Sequence, residues 1–345
     1  MIIDEDFPLL LKCLVEGQSL SADASLRAFA AIMAGEVSET RMGAFLTALA
    51  LREPTVAEIA GAARAMRAAM RTVSAPPEAI DLCGTGGDGH GTLNVSTAAS
   101  FVVAACGVPV AKHGNRNMSS KSGAADVLEA LGIRIDLSSQ QSAACLAETG
   151  LCFLFAPAYH PAMKHVAPVR KELGFRTVFN LLGPLCNPAG VRRQLLGVFA
   201  ERWVKPVAGV LAELGAEKAW VVHGCDGLDE LTITGSSLVV EIVDGKARRF
   251  EFEPEQIGLA RAPLEAVKGG DASFNAHALE RLLEGSDDNS AYRDIVILNS
   301  AAALAVAGKA ESVDEGAQSA RAALRNGSAH AKLEQLRTAT QRCSS

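Results

Sequence analysis

A short apolar run that leads into a glycine-rich loop decides the fold of this chain: residues 79–92 read AIDLCGTGGDGHGT. Residues 79–83 are a strand candidate, and the glycine loop, residues 84–92, holds five glycines in nine positions. The stretch NVST at 94–97 then leads into a helix predicted from Ser96 to Cys106. A strand, a glycine turn and a helix in this order are typical of a parallel α/β sheet.

The alternation of strand and helix continues along the chain. Further strands are predicted at residues 108–111, 133–135, 153–156, 195–199 and 219–222, and helices at 126–131, 139–148, 203–214, 292–306 and 317–324. The segment from Pro161 to Asn187 interrupts the alternation and is predicted to be helical. We therefore expect an α/β fold with a mainly parallel sheet flanked by helices.

The chain before Pro76-Pro77 has a different pattern. It repeats leucine at helical spacing, and it contains no strand-like run. The proline pair marks a boundary, and 345 residues are enough for two domains. We expect a small all-helical domain over 1–75, with about 161–190 packing on it, and a large α/β domain formed by 76–160 and 191–345.

Charge and cysteine usage exclude several classes of protein. The net charge is −6 and there is no basic run, which argues against nucleic acid as a partner. The longest apolar stretches are too broken to span a bilayer, so no membrane partner is expected. Eight scattered cysteines without a CxxC pair indicate reduced thiols in a core. These features, with an amino terminus that lacks a basic region, predict a cytoplasmic protein.

The glycine loop lies where an α/β sheet binds its ligands, beyond the carboxyl end of a strand and before a helix. Glycine lets the backbone approach an anion, and the free N–H groups and the helix dipole attract phosphate. Gly84, Gly86 and Gly89 also fit the dinucleotide pattern GxGxxG, but the next strand leads into Lys112 and not into an acidic residue for the ribose. The residues alone predict an anion-binding loop, with a turn that binds no ligand as the alternative.

A basic, serine-rich stretch follows the second predicted strand, with KHGNR at 112–116 and SSKSG at 119–123. Parallel strands end at the same edge of a sheet, so this stretch is expected to meet the glycine loop. Lysine, arginine and serine all donate hydrogen bonds to phosphate. Taken alone, Lys112 or Arg116 is more often a solvated surface charge, but between two such loops a phosphate contact is favoured.

An acidic pair, Asp229 and Glu230, follows another predicted buried strand. Mg²⁺ binds one or two protein carboxylates and shares its other positions with phosphate oxygens and water. An isolated Asp-Glu pair is usually a solvated loop, whereas a pair that faces a diphosphate site fits a magnesium site.

Together these blocks resemble the anthranilate phosphoribosyltransferases. The resemblance is carried by CGTGGDG at 83–89, NVST at 94–97, the basic stretch, PVRKELG at 168–174, FNLLGPL at 179–185 with NP at 187–188, and HGCDGLDE at 223–230. The likeness runs in order from about residue 10 to residue 335. Ala124 departs from the pattern, since a serine is often found there.

The resemblance implies transfer of a phosphoribosyl group from 5-phosphoribosyl 1-diphosphate to the amine of anthranilate, as in tryptophan biosynthesis. It implies Mg²⁺ held by Ser96, Asp229 and Glu230, and electrostatic catalysis by Lys112 and Arg116. No covalent nucleophile or general base is expected. It also implies a homodimer formed through the helical part, for which Leu46, Leu49 and Leu51 are candidate contacts, with packing inside one chain as the alternative.

The same resemblance implies two sets of substrate contacts. The set for phosphoribosyl diphosphate is Gly84, Gly87, Asp88, Thr92, Asn94, Val95, Ser96, Thr97, Lys112, His113, Gly114, Asn115, Arg116, Asn117, Met118, Ser119 and Ser120. The set for anthranilate is Gly84, Asn115 and Arg170, with His113 and Pro157 lining its path.

Two alternative functions share this architecture. A pyrimidine nucleoside phosphorylase uses free phosphate and needs no acidic pair for Mg²⁺, so Asp229-Glu230 and Arg170 favour the transferase. A non-catalytic relative that binds nucleic acid requires a basic surface, which the charge of −6 opposes.

Overall fold

The computed structural model describes residues 6–116, 122–286 and 290–342. The strands in these ranges are Ile80–Gly84 (β1), Val110–Gly114 (β2), Leu151–Phe155 (β3), Arg193–Gly197 (β4), Lys218–Gly224 (β5), Ser237–Val243 (β6) and Lys246–Phe252 (β7). The α-helices are Asp6–Val15 (α1), Ala22–Ala34 (α2), Glu39–Arg52 (α3), Val56–Ala68 (α4), Val95–Ala105 (α5), Ala124–Ala130 (α6), Ser139–Thr149 (α7), Ala156–Tyr159 (α8), Ala167–Leu173 (α9), Phe179–Leu185 (α10), Val204–Glu213 (α11), Ala272–Leu283 (α12), Ser290–Ala307 (α13), Val313–Arg325 (α14) and Ser328–Arg342 (α15). No helix in the described ranges is long and apolar enough to cross a membrane.

The four N-terminal helices form a bundle whose ends are fixed by side-chain caps. Thr55 caps α4 by accepting a hydrogen bond from the Glu58 N–H, while the Glu58 carboxylate accepts one from the Thr55 N–H. Glu58 is buried and also accepts from the Leu20 N–H at 2.8 Å. A capping residue of this kind satisfies N–H groups that a helix start leaves without partners. As predicted, no strand precedes Pro76 among the described residues.

The sheet separates two large hydrophobic clusters. One face carries α5 and α13, with side chains such as Phe101 and Ile295. The other face carries α11 and is continuous with the N-terminal bundle, where Phe29 contacts Phe179 of α10 with 5.7 Å between the ring centroids. Residues 161–190, called the helical insert below, therefore pack on the N-terminal helices. The domain boundaries at 75, 160 and 190 stay a prediction.

The sheet has the strand order β3-β2-β1-β4-β5-β6-β7. Neighbouring strands from β3 to β5 are parallel, and β6 and β7 add an antiparallel edge. This arrangement confirms the predicted α/β fold with a mainly parallel sheet and a helical N-terminal domain. The strand order reverses beside β1, so the crevice between β1 and β4 is the topological switch point at which open α/β sheets bind ligands.

Three local predictions were wrong. Residues 133–135 form no strand: Ile133 and Ile135 are buried in an extended connection between α6 and α7, so their apolar character reflects burial and not ladder pairing. The antiparallel strands β6 and β7 were not predicted: β7 exposes most of its side chains and has a charged sequence, whereas β6 is apolar and mostly buried and was simply missed. Lys112, His113 and Gly114 lie within β2 and do not follow it.

Helices α2 and α4 approach so closely that Gly61 has no room for a side chain. A Cβ at Gly61 would lie 2.3 Å from the Ala22 carbonyl oxygen and 2.7 Å from Ser25 Cβ. We expect Gly61→Ala to destabilise the protein by about 1–3 kcal/mol, the range for overpacking. The measurement is the free energy of unfolding from chemical denaturation.

Gly43→Ala in α3 is the matched control, because its added methyl would lie 3.9 Å from Val169 Cγ1, an ordinary contact. It is expected to leave stability unchanged or to raise it by about 0.5–1 kcal/mol through helix propensity. Equal effects of the two substitutions would contradict the close packing of α2 on α4.

Candidate active site

The glycine loop begins at the carboxyl end of β1, and three hydrogen bonds from the α/β side hold its residues Thr85 and Gly86. The Thr85 N–H donates to the Gly197 carbonyl at 2.9 Å, and the Thr85 hydroxyl accepts from the Phe199 N–H at 3.0 Å. The Gly86 N–H donates to the Asp229 carboxylate at 2.7 Å. Gly86 and Gly87 have φ of +68° and +77°, a conformation that other residues rarely adopt. The loop is therefore a fixed cradle of backbone groups at the switch point.

Asp229 lies against backbone on two sides. A Cβ at Gly84 would be 2.2 Å from Asp229 Oδ2, and one at Gly197 would be 1.6 Å from the Asp229 carbonyl oxygen. The ends of β1 and β4 thus need glycine so that the acidic pair can reach the cradle. The sequence placed Gly84 in the site, but it offered no reason to single out Gly197.

Burial beneath the glycine loop, together with the negative charges of Asp88 and Glu230, raises the pKa of Asp229. Burial also raises the pKa of Glu230 to about 7, although Lys112 and hydrogen bonds from Ser96 oppose this shift. A cluster of carboxylates that resists ionisation lacks counter-charge. A divalent cation supplies such charge and prefers oxygen ligands, so the acidic pair Asp229 and Glu230 fits Mg²⁺.

Lys112 is a buried cation whose charge acts on Glu230. It is 4% exposed, and its Nζ donates to the Leu82 carbonyl at 2.6 Å and to Ser96 Oγ at 3.2 Å. The Ser96 N–H in turn donates to Glu230 at 3.2 Å. The structure therefore brings together Lys112, Ser96 and Glu230, three of the predicted site residues, at the start of α5.

Asp81 is a buried acid that the sequence analysis did not assign to the site. Its carboxylate accepts from the His113 N–H at 3.1 Å and from Asn187 Nδ2 at 2.7 Å, and burial raises its pKa. It links β1, β2 and the end of the helical insert. The signal was a charged residue inside the apolar strand around Ile80 and Leu82.

Two buried histidines lie close together: His113, which was predicted to line the path of anthranilate, and His160, which was not predicted. The rings of His113 and His160 are 5.2 Å apart, and His113 Nδ1 is 3.1 Å from the Gly183 carbonyl oxygen. Burial lowers the pKa of His113 to about 3 and that of His160 to about 4, so both are uncharged at neutral pH. Pro157 is in α8, three residues before His160.

Arg170 lies on α9 in the helical insert. Its Cζ is 5.7 Å from the centroid of the Phe179 ring, and burial lowers its pKa. Within the described ranges no carboxylate pairs with it. A half-buried guanidinium without a carboxylate partner fits an anionic ligand, because Arg presents a rigid fork to carboxylates.

The other predicted contacts lie in the loops after β1 and β2 and at the start of α5. Arg116 is exposed and forms ion pairs with Asp126 and Glu129 of α6, which already neutralise its charge. Asn115 accepts from the Arg116 N–H at 2.7 Å.

Asn94 precedes α5 and accepts from Asn275 Nδ2 at 2.9 Å. Thr92 forms a bridge with Lys268, and Val95 and Thr97 are buried in α5. Asn117, Met118, Ser119 and Ser120 lie outside the described residues.

Asn299 holds the backbone next to the acidic pair, and the sequence analysis did not identify this residue as part of the site. This buried side chain accepts from the Leu231 N–H at 3.1 Å and donates to the Leu231 carbonyl at 2.9 Å. It fixes the backbone directly after Glu230. An amide within the apolar helix α13 was the signal that pointed to it.

Comparisons with known proteins agree with this geometry. The sequence family described as "Glycosyl transferase family, a/b domain" matches residues 76–330, and the one described as "Glycosyl transferase family, helical bundle domain" matches residues 8–70. The anthranilate phosphoribosyltransferase of Azorhizobium caulinodans is 55% identical over 337 residues, which are 98% of this chain and 97% of the relative. That of Rhodopseudomonas palustris strain HaA2 is 54% identical over 331 residues, which are 96% of this chain and 97% of the relative.

Two solved structures share the whole fold. The anthranilate phosphoribosyltransferase of Thermus thermophilus is 46% identical with a TM-score of 0.91, and the match covers 96% of this chain and 99% of that one. The enzyme of Saccharomyces cerevisiae, solved in complex with PRPP and Mg, is 29% identical with a TM-score of 0.90, covering 99% of both chains. The identity, the coverage and the shared fold show that this chain belongs to the anthranilate phosphoribosyltransferase family.

Proposed function

We propose that the chain transfers the phosphoribosyl group of 5-phosphoribosyl 1-diphosphate to the amine of anthranilate, giving N-(5-phosphoribosyl)anthranilate and diphosphate, at the crevice between β1 and β4. The observation that carries this proposal is the acidic pair, which lies under the glycine loop with its pKa values raised. A diphosphate substrate that binds together with magnesium requires two kinds of group. Backbone donors bind its phosphates, and carboxylates without a neutralising cation bind the metal.

Asp229 and Glu230, with Ser96 beside them, would hold Mg²⁺, which when bound neutralises charge on the leaving diphosphate. The chain's own residues do the rest. Backbone N–H groups of the glycine loop beyond Gly86, which itself donates to Asp229, donate to phosphate oxygens. Lys112 contributes a buried positive charge close to the same oxygens. Arg116 is held by Asp126 and Glu129, and its electrostatic role stays a prediction.

The helical insert supplies the second substrate's contacts. Arg170 pairs with the anthranilate carboxylate, and the uncharged rings of His113 and His160 line the approach with Pro157. The aniline nitrogen has a free lone pair at neutral pH, so positioning replaces a general base. Cys83 is no nucleophile, because burial and the neighbouring Asp81 raise its pKa well above the usual value.

The assay that tests this function combines the protein with anthranilate, phosphoribosyl diphosphate and Mg²⁺ and follows the loss of anthranilate fluorescence. Turnover that requires all three components supports the proposal. Phosphorolysis of a pyrimidine nucleoside without such turnover would favour the alternative enzyme. Retention on heparin without either activity would favour a nucleic-acid-binding relative. The cytoplasmic location stays a prediction.

The first prediction concerns the metal. Asp229→Asn with Glu230→Gln is expected to lower kcat by roughly 100-fold or more, the scale of losing charge stabilisation in an active site. The wild type should melt at a higher temperature when Mg²⁺ is added, and the double variant should not. Without Mg²⁺ the variant should melt no lower than the wild type, because two poorly solvated charges are removed.

Asp226→Asn is the matched control, since this carboxylate lies in the same loop but accepts from Thr232 and Thr234. It is expected to keep both turnover and the Mg²⁺ shift. Wild-type kcat in the double variant at saturating Mg²⁺ would reject the metal assignment.

The second prediction separates the two substrates. Arg170→Ala removes a charge-assisted hydrogen bond worth about 1.5–3 kcal/mol, so it should weaken the use of anthranilate by roughly 10–150-fold. The KM for phosphoribosyl diphosphate should change little, because the predicted partners of that substrate lie on the other loops. Steady-state kinetics with each substrate varied in turn is the measurement. An unchanged KM for anthranilate, or equal losses for both substrates, would show that Arg170 does not bind the carboxylate.

The third prediction is a homodimer. Leu46 and Leu49 are buried within one chain and are not available for a subunit contact, whereas Leu51 is 83% exposed and Leu9 and Val15 of α1 are 61% and 72% exposed. Burial of these side chains would stabilise association through the N-terminal helices. Light scattering should give about twice the chain mass of 35.9 kDa. A mass of one chain at micromolar concentration would reject the dimer.

A further inference from the structure

Arg176 makes a contact that the function described so far does not use. It lies between α9 and α10 in the helical insert, and its side chain is exposed. Its guanidinium donates a short hydrogen bond to the Gly87 carbonyl of the glycine loop. Its Cζ also lies 4.3 Å from the centroid of the Phe199 ring, directly beyond β4. An exposed arginine held at two points is unusual, because its free side chain has many rotamers to lose.

The two contacts act on the same few residues. Phe199 donates its N–H to the Thr85 hydroxyl at 3.0 Å, so the ring under Arg176 is itself attached to the start of the glycine loop. A Cβ at Gly87 would lie 3.6 Å from Arg176 Nη2, so the guanidinium covers this part of the loop. Stacking on Phe199 orients the guanidinium toward the Gly87 carbonyl. Arg176 thus holds Gly87 in the left-handed conformation that shapes the cradle.

Arg176 also joins two parts of the site. The other described hydrogen bonds that hold residues 85–87 come from Gly197, Phe199 and Asp229, all in the α/β part. Among the described residues, Arg176 is the one in the helical insert that is hydrogen-bonded to the glycine loop. Arg170 lies six residues earlier in the same insert, on α9. The insert therefore carries one arginine for the second substrate and another for the loop that binds the first.

We propose that Arg176 is a positioning residue that fastens the glycine loop to the helical insert, and so couples the phosphoribosyl diphosphate site to the anthranilate site. This inference rests on the proposed function of those two sites. Arg176 contacts neither substrate in this role. It keeps the cradle closed against the insert, and it keeps the insert, with Arg170, at a fixed distance from the cradle.

The test is steady-state kinetics of Arg176→Ala with each substrate varied while the other is saturating. The KM values for phosphoribosyl diphosphate and for anthranilate should both rise roughly tenfold, the factor equivalent to about 1.4 kcal/mol, and kcat should change less. This differs from Arg170→Ala, whose loss is confined to anthranilate. The melting temperature should stay close to that of the wild type, because the side chain is exposed.

Two further variants examine the two contacts separately. Arg176→Lys keeps a donor for the Gly87 carbonyl but loses the flat guanidinium that stacks on Phe199, so it should recover part of the loss. Phe199→Leu removes the stack from the other side and should raise both KM values in the same direction. A purely structural role would lower the melting temperature without this graded effect on the two KM values.

Arg192→Ala is the matched control. Arg192 is also exposed and donates to a glycine carbonyl, Gly215, at 3.0 Å, but it lies at the opposite end of β4. It should leave both KM values unchanged. If Arg176→Ala behaves like Arg192→Ala, or affects one substrate alone, the coupling role is rejected while the wild-type activity still supports the proposed function. A wild type without turnover would instead reject the proposed function, and this inference with it.

Discussion

The structure depends on bringing carboxylates into a crevice where they are poorly solvated. Asp229 lies against Gly84 and Gly197, at distances that leave no room for a side chain on either glycine. Burial raises the pKa of both members of the acidic pair. Ionising these carboxylates therefore costs free energy that the fold alone does not offset. The surrounding groups reduce this cost: Lys112 lies nearby, Ser96 donates to Glu230, and Asn299 fixes the backbone behind them.

The rest of the architecture follows from holding this cluster. The reversal of strand order beside β1 opens the crevice, and the N-terminus of α5 points N–H groups toward it. Asp81 connects β1 to β2 and to Asn187 at the end of the helical insert, so the hydrogen-bond network joins the sheet to the insert. The histidines stay neutral because they are buried, so neither adds a positive charge to the approach proposed for the second substrate.

The sequence predicted the class of fold and the main loops of the site, because strand, glycine turn and helix are local patterns. The parallel topology alone predicted that the segments around Lys112 and Asp229 meet at one edge of the sheet, although Lys112 lies inside β2 and not beyond it. Long-range contacts were beyond the sequence: Gly197 matters only because Asp229 lies against it, and Arg176 only because Gly87 is within reach. The failed strand at 133–135 and the missed strand β7 have one cause, since apolar residues indicate burial more directly than they indicate strand pairing. Strand β6 is apolar and mostly buried, so its sequence did carry the signal.

The contact of Gly84 and Gly197 with Asp229 has a consequence for how such a gene can vary. Every other amino acid carries a Cβ, and at both positions that atom would overlap Asp229 itself. A chemically similar replacement is therefore no better tolerated than a dissimilar one, since the Cβ of alanine meets Asp229 just as the Cβ of tryptophan does. In a library of random single substitutions, the Gly197 codon should tolerate only synonymous changes, because the overlap there is with backbone, and a substitution at Gly84 would displace the Asp229 carboxylate. Nearby loop glycines such as Gly86 and Gly89 face open space and are limited only by their backbone angles, so they should accept an occasional asparagine or aspartate.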